Sequence, residues 1–370
     1  ARRRWLGGFI TVLLFSLFTL PAPAQACGAN GGSPGCSDSD AGSTGNTGPN
    51  SGAQNPIDVV TGNKYQREID HHPGTGSLPT SLAFVRHYNS HNVKLNTGLG
   101  PGWRHSWQVS LGQTVIDEYQ LVQRDGRRIV FTFNTQDGQQ QRFHAINPED
   151  GYLLVTDTGS RWHLSDARRL DFSTTGRLRA IHHPGGVRQT LDYRKGQLTR
   201  VEDNRGQRLH FEYYGQPALR DYDKPLPPEE QARLDAEGRA SVGQLKRLTL
   251  IDGSHIDYAY DGLGNLKQAR HSDGRLRRYH YEHTQYPHAL TGISNRDGQR
   301  LSSWGYDDNG RANHHHKAGG VDRIDLTYTL PTDVGGIGTT ILTNSLSETS
   351  TYTWQHHRHD SQPLLLSSTG

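Results

Sequence analysis

Histidine is the residue type through which this chain could do chemistry. Many of its 21 histidines stand in clusters, at His71-His72, His182-His183, His314-His315-His316 and His356-His357-His359. Side chains alternate between the faces of an extended strand, so His314 and His316 point one way and His315 the other. Two imidazoles on one face supply half of a tetrahedral Zn²⁺ shell. With no cysteine nearby, further ligands would have to come from another segment. The expectation is therefore solvated strand and turn histidines, with no metal site and no cofactor assigned. Asp38-x-Asp40 and Asp307-x-Asn309-Gly310 imitate fragments of a calcium loop but lack its closing Glu. Gly31-Gly32-Ser33-Pro34-Gly35 spells the G-x-S-x-G of a nucleophile elbow, which needs a strand before it and a helix after it; both flanks here are Gly, Ser and Asn. There is no His-Glu-x-x-His, no phosphate loop and no dinucleotide glycine motif between a strand and a helix. No catalytic residue is assigned, and a non-catalytic protein is expected.

The elements that would carry these residues begin after a leader. Arg2-Arg3-Arg4 precedes an apolar run from Phe9 to Leu20, and Ala24-Gln25-Ala26 ends a small-residue cleavage region. Residues 1–26 read as a secretory signal peptide cut after Ala26, by the general or the twin-arginine route. The apolar run is too short to span a bilayer core of ~30 Å, so no integral membrane protein is expected after cleavage. The expected location is secreted, periplasmic or cell-surface. Cys27 and Cys36 are the only cysteines and are candidates for a disulfide in that oxidising setting. Residues 27–54 are a tether of Gly, Ser, Asn and Thr. Only 32% of the chain is hydrophobic and Met is absent, so its 16 Tyr, 9 Phe and 6 Trp must supply much of the core. Its 40 Lys and Arg are nearly balanced by 37 Asp and Glu, interspersed along the chain, and nucleic-acid binding is not expected.

Ordered sequence starts at Asn55, with a strand, a Thr61-Gly62-Asn63 turn and a second strand. Leu82, Phe84 and Arg86 then alternate against Ala83, Val85 and His87. A glycine turn, Leu99-Gly100-Pro101-Gly102, presents Trp103 and Trp107, either as core anchors or as platforms for ligand stacking. Downstream one unit recurs, written most fully as Tyr260-Asp261-Gly262-Leu263-Gly264-Asn265-Leu266. Aromatics close successive hairpins at Phe133, Phe172, Tyr193, Tyr213, Tyr260, Tyr281, Tyr306, Tyr328 and Trp354, and from Phe172 the intervals are 21, 20, 47, 21, 25, 22 and 26 residues. So regular a spacing marks a repeat array. Ile129, Phe131 and Phe133 share a strand face, as do Leu209, Phe211 and Tyr213, and Ile256, Tyr258 and Tyr260. A lone hairpin cannot cover such a face, so neighbours must stack into a long curved sheet. The interval of 47 holds Pro225 and the helix-like Glu229–Glu237, a surface excursion. Ser347 stands where a turn glycine is expected.

The three blocks from Asn55 to Trp107, followed by these repeats, resemble the Rhs and related YD-repeat proteins of bacteria. The resemblance implies an all-β fold: tandem hairpins in a long sheet that spirals into an open or hollow shell, with one short helical insertion. It divides the chain into a leader (1–26), a tether (27–54), an N-terminal Rhs-type domain (55–115), YD-like hairpins (116–217), a helical insertion (218–243) and YD repeats (244–370). Toxin-bearing members end in a self-cleaving segment with an Asp-Pro pair. No Asp-Pro occurs here, so neither self-cleavage nor a toxin is assigned. The implied function is an exported scaffold of the polymorphic-toxin type, its toxin part absent, whose shell encloses or presents an effector domain or a secreted partner protein. The alternative is a cell-surface module binding carbohydrate or protein, with Trp103 and Trp107 stacking on a glycan.

Overall fold

The computed structural model describes residues 57–72, 81–215, 242–333, 336–356 and 363–369. The leader with Ala26, Cys27, Cys36, the tether, the Glu229–Glu237 segment and His357 and His359 lie outside the described residues. Two sheets make up the rest. A three-stranded antiparallel sheet contains β1 (Tyr65–His71), β2 (Phe84–Asn89) and β3 (Trp103–His105). The second is a single antiparallel sheet of 22 strands in chain order, from β4 (Ser110–Val115) to β25 (Pro363–Thr369). The long sheet begins at Ser110, within the stretch that the sequence assigned to the N-terminal domain.

Each strand of the wall pairs with its sequence neighbours, and no ladder joins β25 to β4, so the sheet is an open ribbon. Its first turn curls back on itself. Ser110 bridges Arg177, and the Leu111 N–H donates to the Gly176 carbonyl at 2.9 Å. Gly176 has φ +72°, and a Cβ there would sit 1.7 Å from the Leu111 oxygen, so only glycine permits this approach.

The repeat unit has a physical reading. In the hairpin of β16 (His255–Tyr260) and β17 (Leu266–His271), Tyr260 and Leu266 are cross-strand partners, with a bulge just before Tyr260. Between them the Asp261 N–H donates to the Asn265 carbonyl and the Gly264 N–H to the Asp261 carbonyl, both at 3.0 Å, with Gly264 at φ +80°. Asp261 Oδ1 accepts from the N–H of Leu263 and of Asn265 at 2.9 Å each. The acid of the motif therefore satisfies turn amides. Asp307 to Arg311 repeats the bonds, and the bulge recurs before Phe172, Tyr193, Tyr213 and Tyr306. The tyrosine does a second task. Its hydroxyl donates to a main-chain carbonyl of the preceding repeat: Tyr260 to Leu245 at 2.8 Å, Tyr306 to Leu290 at 2.9 Å and Tyr328 to Ala312 at 2.6 Å.

The long excursion leaves this pattern intact. Tyr214 N–H donates to the Gln244 carbonyl and Gly243 N–H to the Tyr214 carbonyl, both at 2.9 Å, as in the short turns. The excursion is thus inserted between Gly215 and Val242, at the middle of one hairpin turn. Ser347 likewise forms the turn, its N–H bonded to the Asn344 carbonyl, but at φ +64°.

Strand alternation sets the core. On β14 (Arg208–Tyr213), Leu209, Phe211 and Tyr213 are buried while Arg208, His210 and Glu212 face outward. Phe172, Tyr213, Tyr306 and Trp354 are buried, and Tyr193, Tyr260, Tyr281 and Tyr328 pack half-buried against the same cluster. Phe133 departs from the expectation of a core aromatic, being 41% exposed. On β6 (Arg128–Asp137) the last six residues are exposed because that hairpin runs past the core, and the Phe133 ring meets Phe143 at 5.6 Å.

Candidate functional site

The site is the seam where the N-terminal module, residues 57–107, meets the wall. Trp107 Nε1 donates to Gln189 of β12 (Arg188–Arg194) at 3.2 Å, and Phe84 and His105 pack on Phe211 of β14 at 6.0 and 5.7 Å. Phe84 also meets Tyr258 of β16, and Trp103 meets Tyr279 of β18 (Leu276–His280) edge-on at 5.1 Å. Lys64 Nζ lies 4.0 Å above the Trp304 ring of β20 (Arg300–Tyr306), and Thr340 of β23 (Ile337–Asn344) donates to the Val59 carbonyl at 2.5 Å. Strands β12 to β23, laid flat at ~4.8 Å per strand, would span about 50 Å. One small module touches both extremes, so the wall must bend around it, apolar face inward. The module is a plug inside the wall.

The plug carries charge into this seam. Arg86 on β2 and Asp70 on β1 form a bidentate pair, Nε to Oδ2 at 2.5 Å and Nη2 to Oδ1 at 2.8 Å, and both are buried. Two wall tyrosines close it. Arg86 Nη2 donates to Tyr279 Oη at 2.6 Å, and the Tyr258 hydroxyl donates to Asp70 Oδ2 at 2.6 Å. Burial pushes the Arg86 guanidinium toward neutrality, but Asp70 together with Tyr279 and Tyr258 outweighs it and holds it well above its ordinary value. Burial raises both phenols far above the usual range, Asp70 adding to this at Tyr258, so they stay protonated and neutral, Tyr258 as a donor and Tyr279 as an acceptor at the pair. Trp103, Tyr258 and Tyr279 surround the guanidinium at 5.0, 5.5 and 5.2 Å, a cation–π cage.

Around this pair the plug is tied to the wall by hydrogen bonds that satisfy buried polar groups. Trp103 Nε1 donates to Tyr281 Oη at 2.9 Å. Tyr88 Oη accepts from the Leu290 N–H at 3.0 Å and donates to the His288 carbonyl at 2.9 Å. The carbonyls of Gly62 and Gly98 accept from Ala312 and Leu245 of the wall at 2.9 and 2.6 Å. Lys64 is fully buried, its ammonium bonded to the Tyr65 carbonyl at 2.6 Å, and burial lowers its pKa well below the usual value.

The residues singled out from sequence are distributed as follows. Trp103 and Trp107 are 0% and 3% exposed, so they are plug anchors and offer no open ring face. Tyr258 and Tyr279, together with Arg86, Asp70 and Lys64, were not selected. The one signal was Arg86 itself, a charge at the same strand parity as Leu82 and Phe84. His182 pairs with Asp171 on the outer face, while His315 is buried against Trp304. Among the described residues, no group of three or more His, Cys, Asp or Glu is placed to hold a metal ion. A cleft of about 310 Å³ opens where the ribbon curls, lined by Leu111, Tyr119, Ser160 and the Ser173–Gly176 turn among others.

Comparison with known families decides what the repeats are. Residues 239–320 match the family described as Teneurin YD-shell. The repeats of this stretch are therefore of the YD-shell type. A second family, described as a domain of unknown function (DUF6531), matches residues 54–131, the plug and the first strands of the wall. No curated protein matches the sequence. Among solved structures, the crystal structure of TcdB2-TccC3-Cdc42 is similar at 11% identity and TM-score 0.29, over 81% of this chain and 19% of that one. The Tc holotoxin pore of Photorhabdus luminescens is similar at 10% identity and TM-score 0.20, over 81% of this chain and 20% of that one. The chain thus spans about a fifth of the length of these chains.

Proposed function

We propose that this chain is an Rhs/YD-repeat protein, an exported, non-catalytic scaffold whose wall forms a β-shell that encloses or presents an effector domain or partner protein. The observation that carries the reading is the inward apolar face of the wall, filled at this end by the chain's own plug. A wall so built separates an interior from solvent, and its buried ion pair and neutral tyrosines serve closure. The YD-shell match of residues 239–320 supports a shell-forming part. The leader sequence supports export, and among the described residues no helix is long and apolar enough to cross a membrane.

The test is to purify the natural gene product from its producing cell and treat it with protease. A polypeptide that is retained and protected until the wall is unfolded, identified by mass spectrometry, is expected. A folded wall that retains nothing and protects nothing overturns the reading. The alternative is a cell-surface module binding carbohydrate or protein through exposed Tyr and Trp; the burial of Trp103 and Trp107 removes those two rings from it.

A further inference from the structure

The histidine triplet lies on β21 (Ala312–Lys317), and its two outward members are arranged by a third residue. His314 Nδ1 is 2.6 Å from Oδ1 of Asp325 on β22 (Ile324–Thr329), whose other oxygen accepts from Arg323 Nε at 2.8 Å. A carboxylate has no proton to give, so His314 Nδ1 carries the hydrogen and its Nε2 presents a lone pair. That Nε2 lies 2.9 Å from Nδ1 of His316. Asp325 therefore sets both the tautomer and the orientation of His314, the same role that carboxylates take behind metal-bound imidazoles.

The spacing of the two nitrogens selects a geometry. Two nitrogens each ~2.05 Å from an ion are about 2.9 Å apart when the angle at the ion is a right angle, and about 3.3 Å apart at the tetrahedral angle. The observed 2.9 Å is the length of an N–H···N hydrogen bond, which a bound ion would replace, and it leaves the two nitrogens at the span of adjacent corners of a square-planar or tetragonal shell. We propose that His314 and His316 form an open two-nitrogen chelate for a divalent ion that prefers this geometry, Cu²⁺ or Ni²⁺, with water in the other positions. On binding, the hydrogen on His316 Nδ1 moves to its Nε2, and Nδ1 becomes the second ligand; no net proton or electron is transferred. Oxygen-seeking Ca²⁺ and Mg²⁺ do not suit two imidazoles. The guanidinium groups of Arg323 and Arg300 lie near the pair. Those same arginines oppose a cation, so binding should be micromolar, not tighter. The site is on the outer face of the wall and does not depend on what the shell encloses.

The test titrates the full chain with CuCl₂ and follows the strongest site by calorimetry and by electron paramagnetic resonance. Two equatorial nitrogens are expected in the native chain and one in His314→Ala or His316→Ala, with at least tenfold weaker binding. Asp325→Asn should weaken binding about tenfold while leaving both nitrogens in place. Thermal unfolding of each variant confirms that the wall is intact. Unchanged affinity and spectrum in the double variant His314→Ala with His316→Ala would place copper on other histidines and overturn the proposal.

Discussion

Arg86 and Asp70 are a buried, bidentate ion pair of the plug, closed on each side by a tyrosine from a different strand of the wall. Such a pair gives little net stability against an apolar pair of the same volume, because both charges leave water. Removing one partner strands the other and typically costs about 3–5 kcal/mol. Arg86→Met should lower the stability of the plugged wall by that amount in urea unfolding, and adding Asp70→Leu should recover most of it. Equal losses from the single and the double variant would mean that the pair acts only as packing.

The motif tyrosines predict a hydroxyl effect. Tyr260→Phe and Tyr306→Phe keep the ring and remove the hydroxyl that donates to the Leu245 or Leu290 carbonyl. Each should cost about 1–2 kcal/mol. Unchanged melting would show that water replaces the bond.

Two turns carry strain that glycine would relieve. Ser347 at φ +64° and Ala167 at φ +64° occupy the position that Gly264 and Gly310 fill elsewhere at φ +80° and +76°. Ser347→Gly and Ala167→Gly should each stabilise by roughly 0.5–1 kcal/mol, and Gly264→Ala should destabilise by at least as much. Thermal melts of the three variants, with opposite signs, check this.

Joining Gly215 directly to Val242 by deleting residues 216–241 should preserve the wall. The deletion leaves Tyr214-Gly215-Val242-Gly243-Gln244, a five-residue turn of the kind that Asp261 to Asn265 forms. Shortening the loop removes closure entropy worth up to about 2 kcal/mol. The melting temperature should stay level or rise; aggregation of the deletion variant would show that the excursion covers part of the sheet.

Acid should loosen the seam. His105 is wedged between Phe84, Trp107 and Phe211, and burial, then Arg104 and His87, pushes its pKa down to about 3. His315, buried against Trp304, is pushed down to about 4 by burial and then by Lys64. Unfolded histidine titrates near pH ~6.5, so below that pH the unfolded chain binds more protons than the folded one. Stability is therefore full above about pH 6.5 and falls as pH drops toward the folded values, by about 1 kcal/mol per pH unit for each histidine. Urea unfolding at several pH values, in the native chain and in His105→Phe, should show a shallower slope in the variant.

How much of this was legible in the chain follows from the range of each interaction. The hairpin of Tyr260 to Leu266 is closed by bonds within five residues, Asp261 to Asn265, so its motif, its period and its one apolar face were readable from residue types alone. That His314 and His316 share one face followed from strand parity in the same way; that His315 is the buried one did not. The plug was not readable: Arg86 meets Tyr279 across 193 positions and Trp103 meets Tyr281 across 178. No local pattern states which distant strand will arrive, so Trp103 and Trp107 stayed open between core and ligand platform until packing buried them. Phe133 shows the converse, an apolar parity position left exposed where its hairpin outruns the core. The sequence by itself determined a ribbon of hairpins with one face to hide, because turns and alternation are local. Only the tertiary structure decided what that face hides, because curvature and burial depend on side chains far apart in the chain.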